Sequence, residues 1–257
     1  ESVIKALGTN TPFAAIGHNR YSTSGGVGNY YTQPVISNNN AICEISTDSD
    51  DPLIKHSISL FKDDKDFKNI SSVHNGNIPS LIELEKFLMD NNVDMSRLSL
   101  DQKKKKNISN NDSFKPSDSI MILEAIIVYT RKGLSIEEAI EKVFPLLVGA
   151  FSILIMTDSK LIAIRDEYGI RPLSIGKINE SFVIASETCA FHPIGAEFLR
   201  DVLPGEMAVI DKNGISSKQL FKSNQKLDIF EFVYFARPDS ELLGQSVYDV
   251  RKRFGEQ

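Results

Sequence analysis

The sequence predicts an α+β fold in which helices pack on a largely antiparallel sheet. Three observations carry this. Two helical patterns, "SDSIMILEAIIVYTRKG" and "SIEEAIEKVFPLL", follow each other with no strand between them. Three β-rich stretches then follow with no helix between them: "GAFSILIMTDSKLIAIRD", "RPLSIGKINESFVIASE" and "GEMAVIDKNGISS". Strands and helices are thus grouped rather than alternating, which argues against a doubly wound parallel sheet.

Taken in order, residues 13–21, "FAAIGHNRY", read as an apolar strand ending at Arg20 and Tyr21, followed by a glycine-bearing polar loop, "STSGGVGN". Residues 41–69 are irregular, with room for a strand pair carrying an insertion, and Cys43 falls in this stretch. At "SSVHNGNIPS" a short strand leads to His74-Asn75-Gly76-Asn77, where Asn-Gly is a common turn signal and Pro79 suits a first helical turn. Leu81, Leu84 and Leu88 recur at helical spacing until Asn91-Asn92. Residues 99–116 hold Lys103–Lys106 among asparagines and read as a solvated loop. The next helix has Ser117 or Asp118 as N-cap and Gly133 as its stop, and Ser135 and Glu138 have capping-box spacing, so the two helices form one layer. Asp158-Ser159 and Asn213-Gly214 mark turns between strands. The aromatic "IFEFVYFARPDS" then turns at Pro238-Asp239, and a last helix begins near Ser246.

Bulk properties narrow the function. With 257 residues, 41% hydrophobic and 25% charged, the chain has ordinary globular composition. A net charge of −5 gives no general reason to bind nucleic acid or an anionic membrane. Cys43 and Cys189 form no CxxC pair, and His18, His56, His74 and His192 show no paired ligand spacing, so neither a disulfide framework nor a protein-bound metal is expected. No apolar run reaches the ~20 residues of a membrane span, and the expected location is the cytoplasm.

Three small sets carry chemistry: Arg20 and Thr23 in "GHNRYSTSG", Asn75 and Gly76 in "HNGN", and Asp118 in "SDS". Singly, each has a plain structural explanation: a surface arginine with a loop threonine, a turn, and a helix cap. Together they have the parts of an amino-acid clamp. Arginine grips an α-carboxylate bidentately, aspartate accepts from an α-ammonium, and an asparagine amide beside a glycine N–H holds an oxyanion.

These motifs, with "IRDEYGIRPLSIG", "ASETCAF", "IGAEFLRDVLPGE" and above all "FEFVYFARPDS", closely resemble the class II glutamine amidotransferase domain of the amidophosphoribosyltransferases. The likeness weakens over 41–70 and 99–116. It implies an N-terminal-nucleophile (Ntn) fold, a four-layer α/β/β/α sandwich, over residues 1–232, with 233–257 a linker and the start of a phosphoribosyltransferase domain. It also implies hydrolysis of L-glutamine, with the ammonia passed to phosphoribosyl pyrophosphate. Asn75 and Gly76 would be the oxyanion hole, Arg20 and Thr23 the carboxylate grip, and Asp118 the partner of the α-ammonium. Tyr234 and Arg237 would border the ammonia route, with core packing as the plain alternative for Tyr234. The family's nucleophile is a mature N-terminal cysteine, whose free amine takes the thiol proton. Neither cysteine here matches it, so the natural polypeptide is expected to start upstream of Glu1 and this stretch to be inactive by itself.

Two further departures stand out. Ser119-Ile120 replaces the threonine and glutamate that usually follow the aspartate, and Asp228 stands where cluster-bearing members place a cysteine. The latter argues against an iron–sulfur cluster; magnesium is expected with the phosphoribosyltransferase part, and a homo-oligomer is expected for the whole. The rival readings are another class II amidotransferase, such as glucosamine-phosphate synthase or asparagine synthetase, and a binding or regulatory domain that kept the clamp without catalysis.

Overall fold

The computed structural model describes residues 14–18, 33–38, 41–43, 69–98 and 117–256. Strands β1 (Val35–Asn38), β2 (Ala41–Cys43), β3 (Asn69–Ser80), β4 (Val148–Thr157) and β5 (Leu161–Arg165) come first. Next in sequence are β6 (Ser174–Ile178), β7 (Ser181–Ala185) and β8 (Glu197–Asp201), which form a separate sheet in the order β7-β6-β8. Strands β9 (Glu206–Asp211) and β10 (Gly214–Gln219) then return to the first group, whose seven strands lie in the order β10-β9-β5-β4-β3-β1-β2. Every pairing in both sheets is antiparallel.

Strand alternation separates two cores. On β5 and β9, Ile162, Ile164, Met207 and Val209 enter the larger core beneath the helices, while Ala163 and Ala208 between them face Leu173, Ile175 and Val202 of the smaller one. The described residues therefore stack as helices, large sheet, small sheet. In the helical layer, α1 (Ile82–Asp90) buries Leu84 and Leu88. Helix α2 (Asp118–Arg131) is buried from Ser119 to Val128, all round its surface, as befits a helix between a sheet and other helices. Ser117 caps it, accepting from the Ile120 N–H, and Gly133 follows its end at φ +88°. Helix α3 (Ile136–Val143) opens with the expected Ser135/Glu138 capping box.

Several expectations fail for identifiable reasons. Asn75-Gly76 makes no turn: β3 runs unbroken through it, because β4 pairs with it from Ile70↔Thr157 to Asn77↔Ala150. Pro79 opens no helix. It lies where the β3–β4 register shifts between Asn77 and Ser80, so its missing N–H costs little there, and α1 starts at Ile82. Residues 14–18 carry no strand, and the rest of that expected strand lies outside the described residues. Cys43 ends β2 instead of lying in irregular sequence.

After β10 the chain forms a π-helical turn, Glu231–Phe235, a two-strand ribbon, β11 (Glu241–Leu242) with β12 (Gln245–Ser246), and helix α4 (Val247–Gly255) capped by Ser246. Phe232, Ala236, Leu242, Val247 and Val250 give this segment a small core of its own. Arg251 closes it by donating to the carbonyls of Phe232 and Ala236. No helix among the described residues is long and apolar enough to cross a membrane.

Candidate functional site

The strand β3 presents its functional groups by ladder arithmetic. The side chain of Gln33 bonds both backbone groups of His74, accepting from its N–H and donating to its carbonyl at 3.1 Å. The backbone groups of His74 therefore face away from β4. On the other side, the N–H and carbonyl of Phe151 both engage Asp166, so Phe151 and its partner Gly76 form a non-hydrogen-bonded pair. Alternation then aims the Gly76 N–H to the same edge as His74, beyond the end of β1 and with no ladder partner among the described residues. Such pairs bring backbones close. A Cβ on Gly76, whose φ is +157°, would lie 2.1 Å from the Ala150 carbonyl oxygen and 2.7 Å from Phe151 Cα. Glycine is required here by space.

Adjacent side chains leave opposite faces of β3. His74 faces the helices, where its Nδ1 lies 3.5 Å from Asp118 Oδ2 at the start of α2. Asp118 Oδ1 accepts from the Ser119 N–H at 2.8 Å. Burial acts to raise the Asp118 carboxyl, but the hydrogen bond and charge of His74 and the donors of Ser119 outweigh it, so it sits below its ordinary value. A depressed acid stabilises the fold fully above its unfolded pKa and loses that contribution as pH falls through the folded value. Urea midpoints should therefore show the native protein more stable than Asp118→Asn at pH 7, with the gap shrinking as pH drops below about 4. His74 Nε2 is buried with no hydrogen-bond partner among the described residues.

Asn75 faces the small sheet. It heads a polar row across β3, β4 and β5, Asn75↔Ser152↔Arg165. Its Nδ2 donates to Ser186 Oγ at 3.1 Å. Ser152 donates to the carbonyls of Arg171 and Pro172, and the buried Arg165 donates to those of Arg171, Val202 and Gly169 at 2.7–2.8 Å. Asp166, wholly buried, accepts from the N–H groups of Phe151, Tyr168 and Ile170. "RDEYGIRPL" is thus a clamp that fixes the loop beside this row. Its Arg171 also pairs with Glu231 at 2.8 Å and lies over the Phe235 ring, holding the π-helical turn.

Next to Ser186, Glu187 accepts from the Arg237 N–H at 2.7 Å and from Ser240 Oγ at 2.8 Å, while Thr188 Oγ1 accepts from the Glu241 N–H. "ASETCAF" therefore docks "YFARPDS". Burial first, and then the nearby carboxylates of Glu187 and Asp239, push the Cys189 thiol above its ordinary value.

The predicted residues are thus distributed as follows. Asn75 and Gly76 are adjacent on β3, and Asp118 reaches the same strand from its other face, through His74; Arg20 and Thr23 lie outside the described residues. Tyr234 is 78% exposed in this stretch, and Arg237 is exposed, with its guanidinium paired to Asp239. Ser186, Glu187 and His74 were not singled out by sequence reasoning. The signal was faint: "SET" and a histidine before Asn-Gly acquire meaning only through cross-sheet contacts. No group of three metal-ligating side chains occurs among the described residues.

Comparison with known proteins supplies the family. The chain is 32% identical to the amidophosphoribosyltransferase of Bacillus subtilis over 94% of its own length and 41% of that protein's. It is 33% identical to the amidophosphoribosyltransferase of Methanocaldococcus jannaschii, covering 95% of this chain and 46% of the relative. A solved structure of the B. subtilis glutamine phosphoribosylpyrophosphate amidotransferase, complexed with ADP and GMP, superposes with a TM-score of 0.67 and 29% identity, over 93% of this chain and 42% of that one. The chain therefore spans less than half the length of these relatives. Residues 61–193, a little over half of the chain and including β3, Asp118 and Ser186, match the model of the glutamine amidotransferase domain, and the chain belongs to that family.

Proposed function

We propose that the complete polypeptide containing this chain is an amidophosphoribosyltransferase, and that this stretch releases ammonia from L-glutamine. The ammonia passes to phosphoribosyl pyrophosphate to give 5-phosphoribosylamine, the first step of purine (IMP) synthesis. One observation carries the reading for this stretch: among the described residues the Gly76 N–H has no ladder partner, and the side-chain amide of the preceding Asn75 makes a single hydrogen bond, to Ser186.

In this reading a cysteine thiolate attacks the glutamine side-chain carbonyl, forming the carbon–sulfur bond and an oxyanion. Gly76 N–H and one Asn75 N–H receive that charge. The oxyanion collapses, the carbon–nitrogen bond breaks, ammonia leaves with a proton supplied through the amine of the nucleophilic residue, and water hydrolyses the thioester. Arg20 and Thr23 hold the substrate carboxylate and Asp118 its ammonium. Residues 233–257 lead into the phosphoribosyltransferase part, where magnesium binds, and Asp228 argues against an iron–sulfur cluster. Tyr234 and Arg237 face that part and border the ammonia route. A further helical layer over the small sheet completes the four-layer Ntn sandwich, and the whole is a cytoplasmic homo-oligomer.

The test is glutamate release from glutamine by the complete polypeptide, measured with and without phosphoribosyl pyrophosphate. Turnover accompanied by phosphoribosylamine formation is expected. Turnover with no phosphoribosylamine formed points to another class II amidotransferase, and glutamine binding without turnover points to a binding domain.

A further inference from the structure

We propose that Ser186 is a positioning residue for the oxyanion site, holding the Asn75 carboxamide in place before substrate arrives. The proposal rests on the reaction proposed above. Among the described residues, the bond from Asn75 Nδ2 to Ser186 Oγ, at 3.1 Å, is the one hydrogen bond of the Asn75 side chain, and it spans the gap between the two sheets. It leaves the second N–H free for a developing oxyanion. A carboxamide on a strand has two soft torsions. An amide that must find its orientation during the reaction stabilises the transition state less than one already fixed.

Ser186 is itself fixed. It follows β7 directly, and the next two residues accept three donors from the segment 237–241: Glu187 those of Arg237 and Ser240, and Thr188 that of Glu241. Neither Ser186 nor its neighbours need touch substrate. Their contribution is to hold a hydroxyl where the amide of Asn75 meets it.

The experiment compares the complete polypeptide with its Ser186→Ala and Ser186→Thr variants. In Ser186→Ala, kcat with glutamine is expected to fall about tenfold, a loss typical of a misplaced catalytic group, while KM for glutamine and the rate with added ammonia stay within twofold. Ser186→Thr, which keeps the hydroxyl, restores most of the rate. In an Asn75→Ala background, Ser186→Ala should add less than a twofold further loss, because the two act as one unit. A rise in KM with kcat unchanged, an equal fall in the ammonia rate, or independent multiplicative losses would overturn the proposal.

A second measurement does not depend on turnover. In protein labelled with 15N-asparagine, the Asn75 side-chain protons should exchange with solvent at least fivefold faster in Ser186→Ala. Should the unsubstituted polypeptide release no glutamate, the proposed reaction falls, yet the exchange rates still decide the contact: faster exchange upholds it and unchanged exchange overturns it.

Discussion

Asn75→Asp in the complete polypeptide is expected to lower glutamine-dependent turnover about a hundredfold or more while leaving ammonia-dependent synthesis within twofold. The substitution keeps size and shape but replaces two N–H donors with a carboxylate. Removal of one oxyanion donor costs about 3 kcal/mol in transition-state energy, and a negative group aimed at a developing negative charge adds to that. Folding should be little affected, since Asn75 is only partly buried and Ser186 can donate its hydroxyl proton to the new carboxylate. The control is the ammonia rate, which bypasses glutamine altogether. If both rates fall together, the amide does not serve the glutamine site and the oxyanion assignment is wrong.

Gly76→Ala is expected to act on the fold itself, destabilising it by about 3 kcal/mol or more and yielding little soluble protein. The added carbon would lie 2.1 Å from a carbonyl oxygen and 2.7 Å from an α-carbon, both backbone atoms of the central strand β4. No rotamer change relieves contact with backbone. Gly149 occupies a matching position on the opposing strand, where a Cβ would lie 2.4 Å from the Asn77 carbonyl oxygen, so the two chains approach closely from both sides. Thermal denaturation decides the point, and a melting temperature within 2 °C of the parent would show that the strands can part at little cost.

Much of the architecture is legible in the sequence, because it rests on periodicity and caps. The run of apolar residues in α2, the Ser135–Glu138 capping box and the succession of β-rich stretches all act locally or through simple alternation. The reading of "HNGNIPS" as turn and helix start failed because its signal was local and its structure is not. Ladder bonds to β4 hold Asn75 extended against its turn preference, and a register shift accommodates Pro79. The site divides the same way. Asn75, Gly76 and Asp118 are identified by motif, whereas Ser186 lies 111 residues from Asn75 and Glu187 50 from Arg237, separations that no local pattern encodes. Arg171 of "YGIRPL" likewise contacts "FEFVYFARPDS" at two points, pairing with Glu231 and lying over the Phe235 ring, so one motif holds the other in place.

The opposed directions of His74 and Asn75 make the arrangement intolerant of length change. A single amino acid inserted upstream in β3, or lost from it, would turn the carboxamide into the oily helical interior and push the imidazole toward the small sheet. Evolution can therefore lengthen the neighbouring loops freely, but the spacing along this strand must stay fixed for as long as the family's chemistry depends on it.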